Sequence, residues 1–143
     1  MISVTALSLA RRYLGVKEII GKGNHPLISW WLSLCSYGTD APDEIAWCSA
    51  FVNGIAWELG LPRSKSAAAR SWLKVGTPVL LEDAKDEFDV VVLERGNDGV
   101  SGHTGFYVSH TDKTVRLVGG NQSNAVTEQD FERVKVLGVR RLI

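Results

Sequence analysis

Cys48 and His103 are the two residues of the chain best placed for nucleophilic catalysis. Cys48 stands at the predicted start of the most regular amphipathic helix, whose apolar residues recur at helical spacing as far as Leu59. Backbone N–H groups without partners and the positive end of the helix dipole favour a thiolate there, the form of cysteine that attacks a carbonyl carbon. The alternative is a small buried side chain, because Cys48 falls in line with the apolar stripe.

A thiolate nucleophile needs a general base, and His103 is favoured for that role. His103 and His110 lie on one predicted strand at positions of opposite parity, so they are expected to point to opposite faces of the sheet. His103 follows a glycine-rich loop and has Gly102 and Gly105 beside it, whereas His110 lies at a predicted hairpin end. The other interpretation of His103 is a strand histidine bonded to a backbone carbonyl. His25 precedes a predicted helix and fits a cap or a solvent-exposed position.

A third polar group should hold the imidazole in one tautomer, and the next predicted strand supplies two amides. A three-residue hairpin loop would place Asn121 opposite His103, and a two-residue loop would place Gln122 there. Both amides can accept the ring N–H, so the pattern leaves the choice open. Alternatively, Gly120 and Asn121 form only a turn.

The sequence patterns favour no metal or cofactor site. The chain lacks both His-Glu-x-x-His and Cys-x-x-Cys spacing. The acidic residues Asp83, Asp86 and Glu87 are predicted to be a solvated loop, because they lack the spacing of a calcium-binding loop. A disulfide between Cys35 and Cys48 stays open at this stage, although a reducing compartment disfavours it.

The elements around these residues predict an α+β fold, with helices first and an antiparallel sheet after them. Helices are expected over Val4–Leu14, from Pro26 with Asn24 as a possible cap, over Cys48–Leu59 and around Ala67–Trp72. Strands are expected over Phe88–Leu93, His103–Ser109, Val115–Gly119 and Val134–Arg140.

Length and composition indicate one soluble domain over residues 1–143, expected to be a monomer. Lysine plus arginine number 16 and aspartate plus glutamate number 16, which argues against nucleic-acid binding. No apolar run approaches the roughly 18 residues of a membrane span. No basic residue precedes the mildly apolar start, and Arg11 and Arg12 follow it, so the sequence predicts a chain made in the cytoplasm without a signal peptide.

Three segments together resemble the CHAP branch of papain-like peptidoglycan hydrolases, above all its compact phage and prophage members. They are Asp43–Asn53, which contains Trp-Cys-Ser-Ala-Phe-Val, then Gly102–Val108, and then Val118–Gln122. Tyr13–Glu18 and the turn Gly21–Asn24 are similar to the same subgroup.

The resemblance implies a papain-like fold and a cysteine peptidase or amidase without a cofactor, acting on peptidoglycan. It implies Cys48 as nucleophile, His103 as base and Asn121, rather than Gln122, as the orienting residue. Many CHAP domains have a glutamate two residues before this asparagine, where the present chain has Gly119. Trp47, Gly102 and Gln122 are the predicted substrate-binding residues.

The expected role is that of a phage endolysin, which acts on the cell wall after release from the host cytoplasm. The alternatives are an antibacterial toxin delivered by a secretion apparatus, and a non-catalytic wall-binding or phage structural protein with the same fold.

Overall fold

The computed structural model describes residues 3–19, 23–35 and 46–143. Three α-helices and six β-strands are found in this part of the chain. The helices are α1 (Ala6–Arg11), α2 (Pro26–Ser33) and α3 (Cys48–Leu59). The strands are β1 (Thr77–Val79), β2 (Asp89–Glu94), β3 (Gly102–His110), β4 (Thr114–Gln122), β5 (Ala125–Glu132) and β6 (Val136–Arg141). They form one sheet in the order β1-β6-β2-β3-β4-β5, with all neighbours antiparallel.

Local sequence signals fix the ends of the helices. Thr5 and Ser8 form a reciprocal capping box at the start of α1. Pro26 opens α2, and His25 caps it by accepting the Leu27 N–H on Nδ1 at 3.1 Å. Gly60 ends α3 in the left-handed conformation that glycine adopts without steric cost.

The helices cover one face of the sheet and form the larger of two cores. Its fully buried side chains from α2, α3, β3 and β4 include Ile28, Trp31, Phe51, Ile55, Phe106 and Val118. A smaller cluster is built from the alternate residues of β2, β3, β4 and β6, namely Val91, Leu93, Tyr107, Val115, Leu117 and Val139. β2 contributes to both clusters, which explains its continuous run of buried apolar residues.

The pairing of β4 with its two neighbours, β3 and β5, changes register twice. The turn between β3 and β4 has the two-residue form, since the Thr111 N–H donates to the Thr114 carbonyl at 2.9 Å. A bulge at Val108 then shifts the pairing, so that Phe106 lies opposite Val118. A second irregularity, between Gly119 and Gln122, interrupts the pairing of β4 with β5. The second irregularity falls in the part of β4 that was expected to carry the orienting residue.

The predicted α+β class and its order of helices before strands are confirmed. The four expected strands exist with shifted ends, and the short helix is a 3₁₀ helix over Ala69–Lys74. The expected helix Val4–Leu14 is shorter than predicted, and the cap of α2 is His25 rather than Asn24.

Two strands were not predicted. β1 has only three residues, and β5 carries polar residues along most of its length because it is an edge strand.

Parts of two segments named in the sequence analysis lie outside the described residues. They are positions 43–45 of the cysteine motif and positions 21–22 of the predicted turn. Within the described ranges, no helix is long and apolar enough to cross a membrane.

Candidate active site

Cys48 is the first residue of α3, where that helix meets β4. The approach is close, since a Cβ on Gly120 would lie 2.6 Å from the Trp47 ring and 2.8 Å from the Phe51 Cβ. Glycine at position 120 therefore allows the helix start to reach the sheet. Cys48 is 4% exposed and has a free thiol, as has Cys35, so the two form no disulfide.

The electrostatics of Cys48 combine burial with donors that favour negative charge. Burial raises the pKa of the thiol, and the Thr104 backbone N–H lowers it by hydrogen bonding to the sulfur. The positive charge of Arg95 and the backbone N–H groups of Ser49 and Cys48 act in the same direction as Thr104. The resting residue is thus a neutral thiol, surrounded by donors that would stabilise a thiolate or an oxyanion.

His103 is the second residue of β3 and is 2% exposed. Its Nε2 lies 2.9 Å from Gln122 Oε1, and its Nδ1 is buried without a hydrogen-bond partner among the described residues. Burial lowers the pKa of His103 to about 4, and the hydrogen bond that His103 donates to Gln122 opposes that shift only in part. The imidazole is therefore neutral at pH 7, as a general base must be.

Gln122 determines which ring nitrogen of His103 carries the proton. Its Nε2 donates to the Thr127 carbonyl at 2.9 Å, which turns its Oε1 toward His103. Since that oxygen only accepts, His103 carries its proton on Nε2 and has a free lone pair on Nδ1. Cys48 and His103 are not hydrogen-bonded to each other in this conformation, but the Thr104 N–H that reaches Cys48 belongs to the residue after His103.

Asn121 makes no hydrogen bond to the His103 ring. It adopts a left-handed backbone conformation with φ of 58° within the second irregularity of β4. The pairing of Phe106 with Val118, extended along the strands, would have placed Asn121 opposite His103. The irregularity brings Gln122 to the imidazole instead. The resemblance-based choice of Asn121 thus has no supporting contact, whereas Gln122 makes the hydrogen bond expected of an orienting residue.

The other predicted substrate-binding residues are largely packed. Trp47 is fully buried and stacks on Trp31 with ring centroids 6.0 Å apart. A Cβ on Gly102 would lie 2.7 Å from the Leu93 carbonyl oxygen, so a close backbone approach explains that glycine. Neither arrangement tests substrate binding.

Glu18 is a site residue that sequence reasoning missed. Its carboxylate accepts the Trp47 indole N–H at 2.8 Å, and its own N–H donates to the Asn124 carbonyl at 3.0 Å. The segment before α2 is thereby tied both to the end of the sheet and to Trp47, the residue before Cys48. Glu18 stands in the Tyr13–Glu18 block quoted for the family resemblance, but nothing in its spacing pointed to Trp47.

His110 lies at the far end of β3, and one prediction about it was wrong. Tyr107 pairs with Leu117, and His110 pairs with Val115. Leu117 and Val115 are alternate residues of β4 and share a face of the sheet. The bulge at Val108 therefore puts His110 on the same face as Tyr107. His103 shares that face as well. The two histidines therefore differ in position along the strand rather than in the face they occupy. His110 Nδ1 bonds the Tyr107 hydroxyl at 2.6 Å.

A buried cysteine at a helix start, beside a strand that carries a neutral histidine and its amide partner, has the groups needed for acyl transfer. Among the described residues, no group of three or more His, Cys, Asp or Glu side chains could hold a metal ion.

Comparison with solved structures identifies the fold as the papain-like α+β fold of NlpC/P60 proteins. NlpC1 from Trichomonas vaginalis superposes with a TM-score of 0.62 and 20% identity, over 99% of this chain and 46% of that one. An NLP/P60 family protein from Staphylococcus aureus, described as similar to a lipoprotein, gives a TM-score of 0.57 and 20% identity over 97% and 40%. An NlpC/P60 family protein from Bacillus cereus superposes with a TM-score of 0.59 and 15% identity, over 96% of this chain and 39% of that one.

The present chain thus spans less than half the length of each of these proteins. The papain-like fold predicted from the sequence is confirmed. No family model matches the sequence. No curated protein matches it either.

Proposed function

We propose that this protein is a cysteine peptidase or amidase that hydrolyses amide bonds of bacterial peptidoglycan, with Cys48 as nucleophile and His103 as general base. The hydrogen bond between His103 Nε2 and Gln122 Oε1 carries the proposal, because it leaves Nδ1 as a buried lone pair beside the strand segment that contacts the thiol. The NlpC/P60 fold and the CHAP-like motifs point to the cell wall as the substrate.

The proposed reaction starts from a neutral pair. Burial disfavours both the thiolate and the imidazolium, so proton transfer from Cys48 Sγ to His103 Nδ1 accompanies attack on the carbonyl carbon. The Cys48 and Ser49 N–H groups would stabilise the oxyanion. His103 then gives the proton to the leaving amine. The amine departs, and the acyl group stays on Cys48 as a thioester. Water attacks that thioester as His103 takes up one of its protons. The C–S bond then breaks, the acid product leaves, and His103 returns the proton to the Cys48 sulfur.

The finer role that we propose is that of a phage endolysin of the CHAP type, acting as a monomeric domain that reaches the wall after its synthesis in the host cytoplasm. A delivered antibacterial toxin could use the same chemistry. Expression in the cytoplasm of a Gram-negative host, with and without a co-expressed membrane-permeabilising protein, tests whether the protein must cross the inner membrane to act on the wall. Lysis only with permeabilisation is expected for both roles. Toxicity of the protein when it is exported to the periplasm would support the cell wall as its target.

The decisive experiment is mass spectrometry of purified peptidoglycan after digestion by the wild-type protein and by Cys48→Ala. New amine and carboxyl ends at one bond type, absent with Cys48→Ala, are expected. The mass of the fragments identifies the bond, either the amide at muramic acid or one within the stem peptide or cross-bridge. An unaltered muropeptide profile with folded wild-type protein would contradict the proposal.

One observation favours a second candidate, a non-catalytic wall-binding protein. Cys48 and His103 are 4% and 2% exposed and share no hydrogen bond. Co-sedimentation with insoluble peptidoglycan, without release of fragments, would support that candidate.

A further inference from the structure

Arg95 lies next to the start of β3, the strand that carries His103. It follows the last residue of β2, and Glu94 pairs with Gly102 at the start of β3. The Arg95 N–H donates to the Ser101 carbonyl at 3.2 Å, which continues the pairing by one residue. Arg95 is therefore fixed on the strand neighbouring His103, at the point where both strands leave the sheet.

The Arg95 side chain is exposed and has no hydrogen bond or ion pair within the described ranges. Most other arginines are used to hold the fold. The arginines whose side chains bond to other described residues are Arg11, Arg70, Arg116, Arg133, Arg140 and Arg141. A free guanidinium beside a buried catalytic pair is thus available to a ligand.

The charge of Arg95 reaches both members of that pair. It lowers the pKa of the Cys48 thiol, which favours the thiolate, and it lowers the pKa of His103, which disfavours the imidazolium. These two effects oppose each other when a proton moves from Cys48 to His103. The two effects of Arg95 on that transfer are therefore opposed, whereas nothing opposes its attraction for an external negative charge.

We propose that Arg95 binds a carboxylate of the substrate next to the scissile bond, and that the substrate is consequently an acidic peptide. The planar guanidinium suits a carboxylate, which it can bind through two parallel hydrogen bonds. This inference rests on the proposed function, since stem peptides of peptidoglycan carry free carboxyl groups.

The first test does not require peptidoglycan. Cys48 is alkylated with iodoacetate, an anion, and with neutral iodoacetamide, and modification at Cys48 is followed by peptide mass spectrometry. The ratio of the two rates cancels any change in thiolate fraction. We expect Arg95→Gln to lower the ratio about three- to tenfold, as loss of one nearby charge implies. Arg12→Gln is the matched control, because Arg12 is an exposed arginine at the end of α1. A ratio equal to that of the wild-type protein would overturn the proposal.

The second test uses soluble stem-peptide fragments with free carboxyl groups, and the same fragments after amidation. We expect the wild-type protein to prefer the free acids in kcat/KM by about ten- to a hundredfold, the range of a charge-assisted hydrogen bond. Arg95→Gln should lose that preference, and Arg95→Lys should keep part of it. An equal preference in Arg95→Gln and wild type would overturn the role of Arg95 alone. Hydrolysis of neither fragment by the wild-type protein would overturn the proposed function and the substrate assignment with it.

Discussion

The two ends of the β3–β4 pair differ in regularity and in the histidine that each carries. At the hairpin end the turn is tight, and Thr111 and Thr114 bond to each other through backbone and side chains. At the opposite end the ladder of β3 and β4 stops at Phe106 and Val118, and β4 bends before Gln122. The first end holds His110 and the second holds His103.

The difference shows how the fold makes room for a reactive group. A continuous ladder uses its backbone N–H groups internally, as the hairpin end does. Where β3 and β4 separate, the Thr104 N–H is available to Cys48, and the glycine at position 120 admits the start of α3. We therefore expect substitutions at the separated end to affect catalysis and those at the hairpin end to affect mainly stability.

The largest effect is expected for the nucleophile. Cys48→Ala removes the only group that can form an acyl-enzyme, so muropeptide release should fall by roughly 10⁴-fold or more. Cys35→Ser is the control, since Cys35 is also buried but lies at the end of α2. It should retain most of its activity when compared at equal folded concentration. An inactive Cys35→Ser together with an active Cys48→Ala would mean that the nucleophile is assigned to the wrong cysteine.

Replacing His103 should be nearly as severe for activity and should also change how stability depends on pH. The His103 pKa is about 4 in the folded protein against an ordinary value of 6.5. Between these values the unfolded chain binds a proton that the folded protein does not, so the free energy of unfolding falls as the pH is lowered from about 6.5 to 4. The loss from this group is at most about 3 kcal/mol.

Urea unfolding at several pH values, for the wild-type protein and His103→Asn, measures that contribution. The variant should show a smaller decrease over the same pH interval. An identical decrease in both proteins would mean that His103 is not held neutral by burial.

A smaller loss of activity is expected on replacing Gln122 or Asn121, and the loss should be larger for Gln122. Gln122→Ala removes the hydrogen bond to His103 Nε2, worth roughly 0.5–1.5 kcal/mol, so the rate should fall on the order of tenfold. Asn121→Gly keeps the left-handed backbone and should stay within about twofold of wild type. Initial rates of peptidoglycan hydrolysis compare them, and a slower Asn121→Gly would restore the choice that the family resemblance favoured.

The sequence predicted the elements whose apolar residues follow a regular pattern over several residues. It missed the features that depend on local irregularities of the strands. The apolar stripe of α3 placed Cys48 at a helix start, and the buried run of β2 was recognisable from its residues. The identity of the orienting amide was not recognisable from the sequence, because it depends on a bulge at Val108 and a bend before Gln122. Each such irregularity shifts the register by one residue, and hairpin rules alone do not predict where it occurs.

The contacts of Glu18 and Arg95 were also beyond sequence reasoning, for a different reason. Both residues act on the site from segments distant from Cys48 along the chain, and a single charged residue carries no periodic signal. Only the paired strands show that Arg95 lies two residues beyond Leu93, the partner of His103. Only the backbone bond to Asn124 shows how Glu18 reaches Trp47.

The smallest effect on activity is expected for His110→Ala. The strand-face argument against His110 no longer holds, because the bulge at Val108 puts it on the face of His103. What excludes it is position, since its Nδ1 is engaged with the Tyr107 hydroxyl at the hairpin end. Loss of that partly buried bond should lower the free energy of unfolding by roughly 0.5–1.5 kcal/mol and leave the hydrolysis rate within about twofold. Tyr107→Phe removes the same bond from the other side and should have a similar effect on stability. If His110→Ala were inactive while remaining folded, the reactive end of the β3–β4 pair would be the hairpin, and the assignment of His103 would fall.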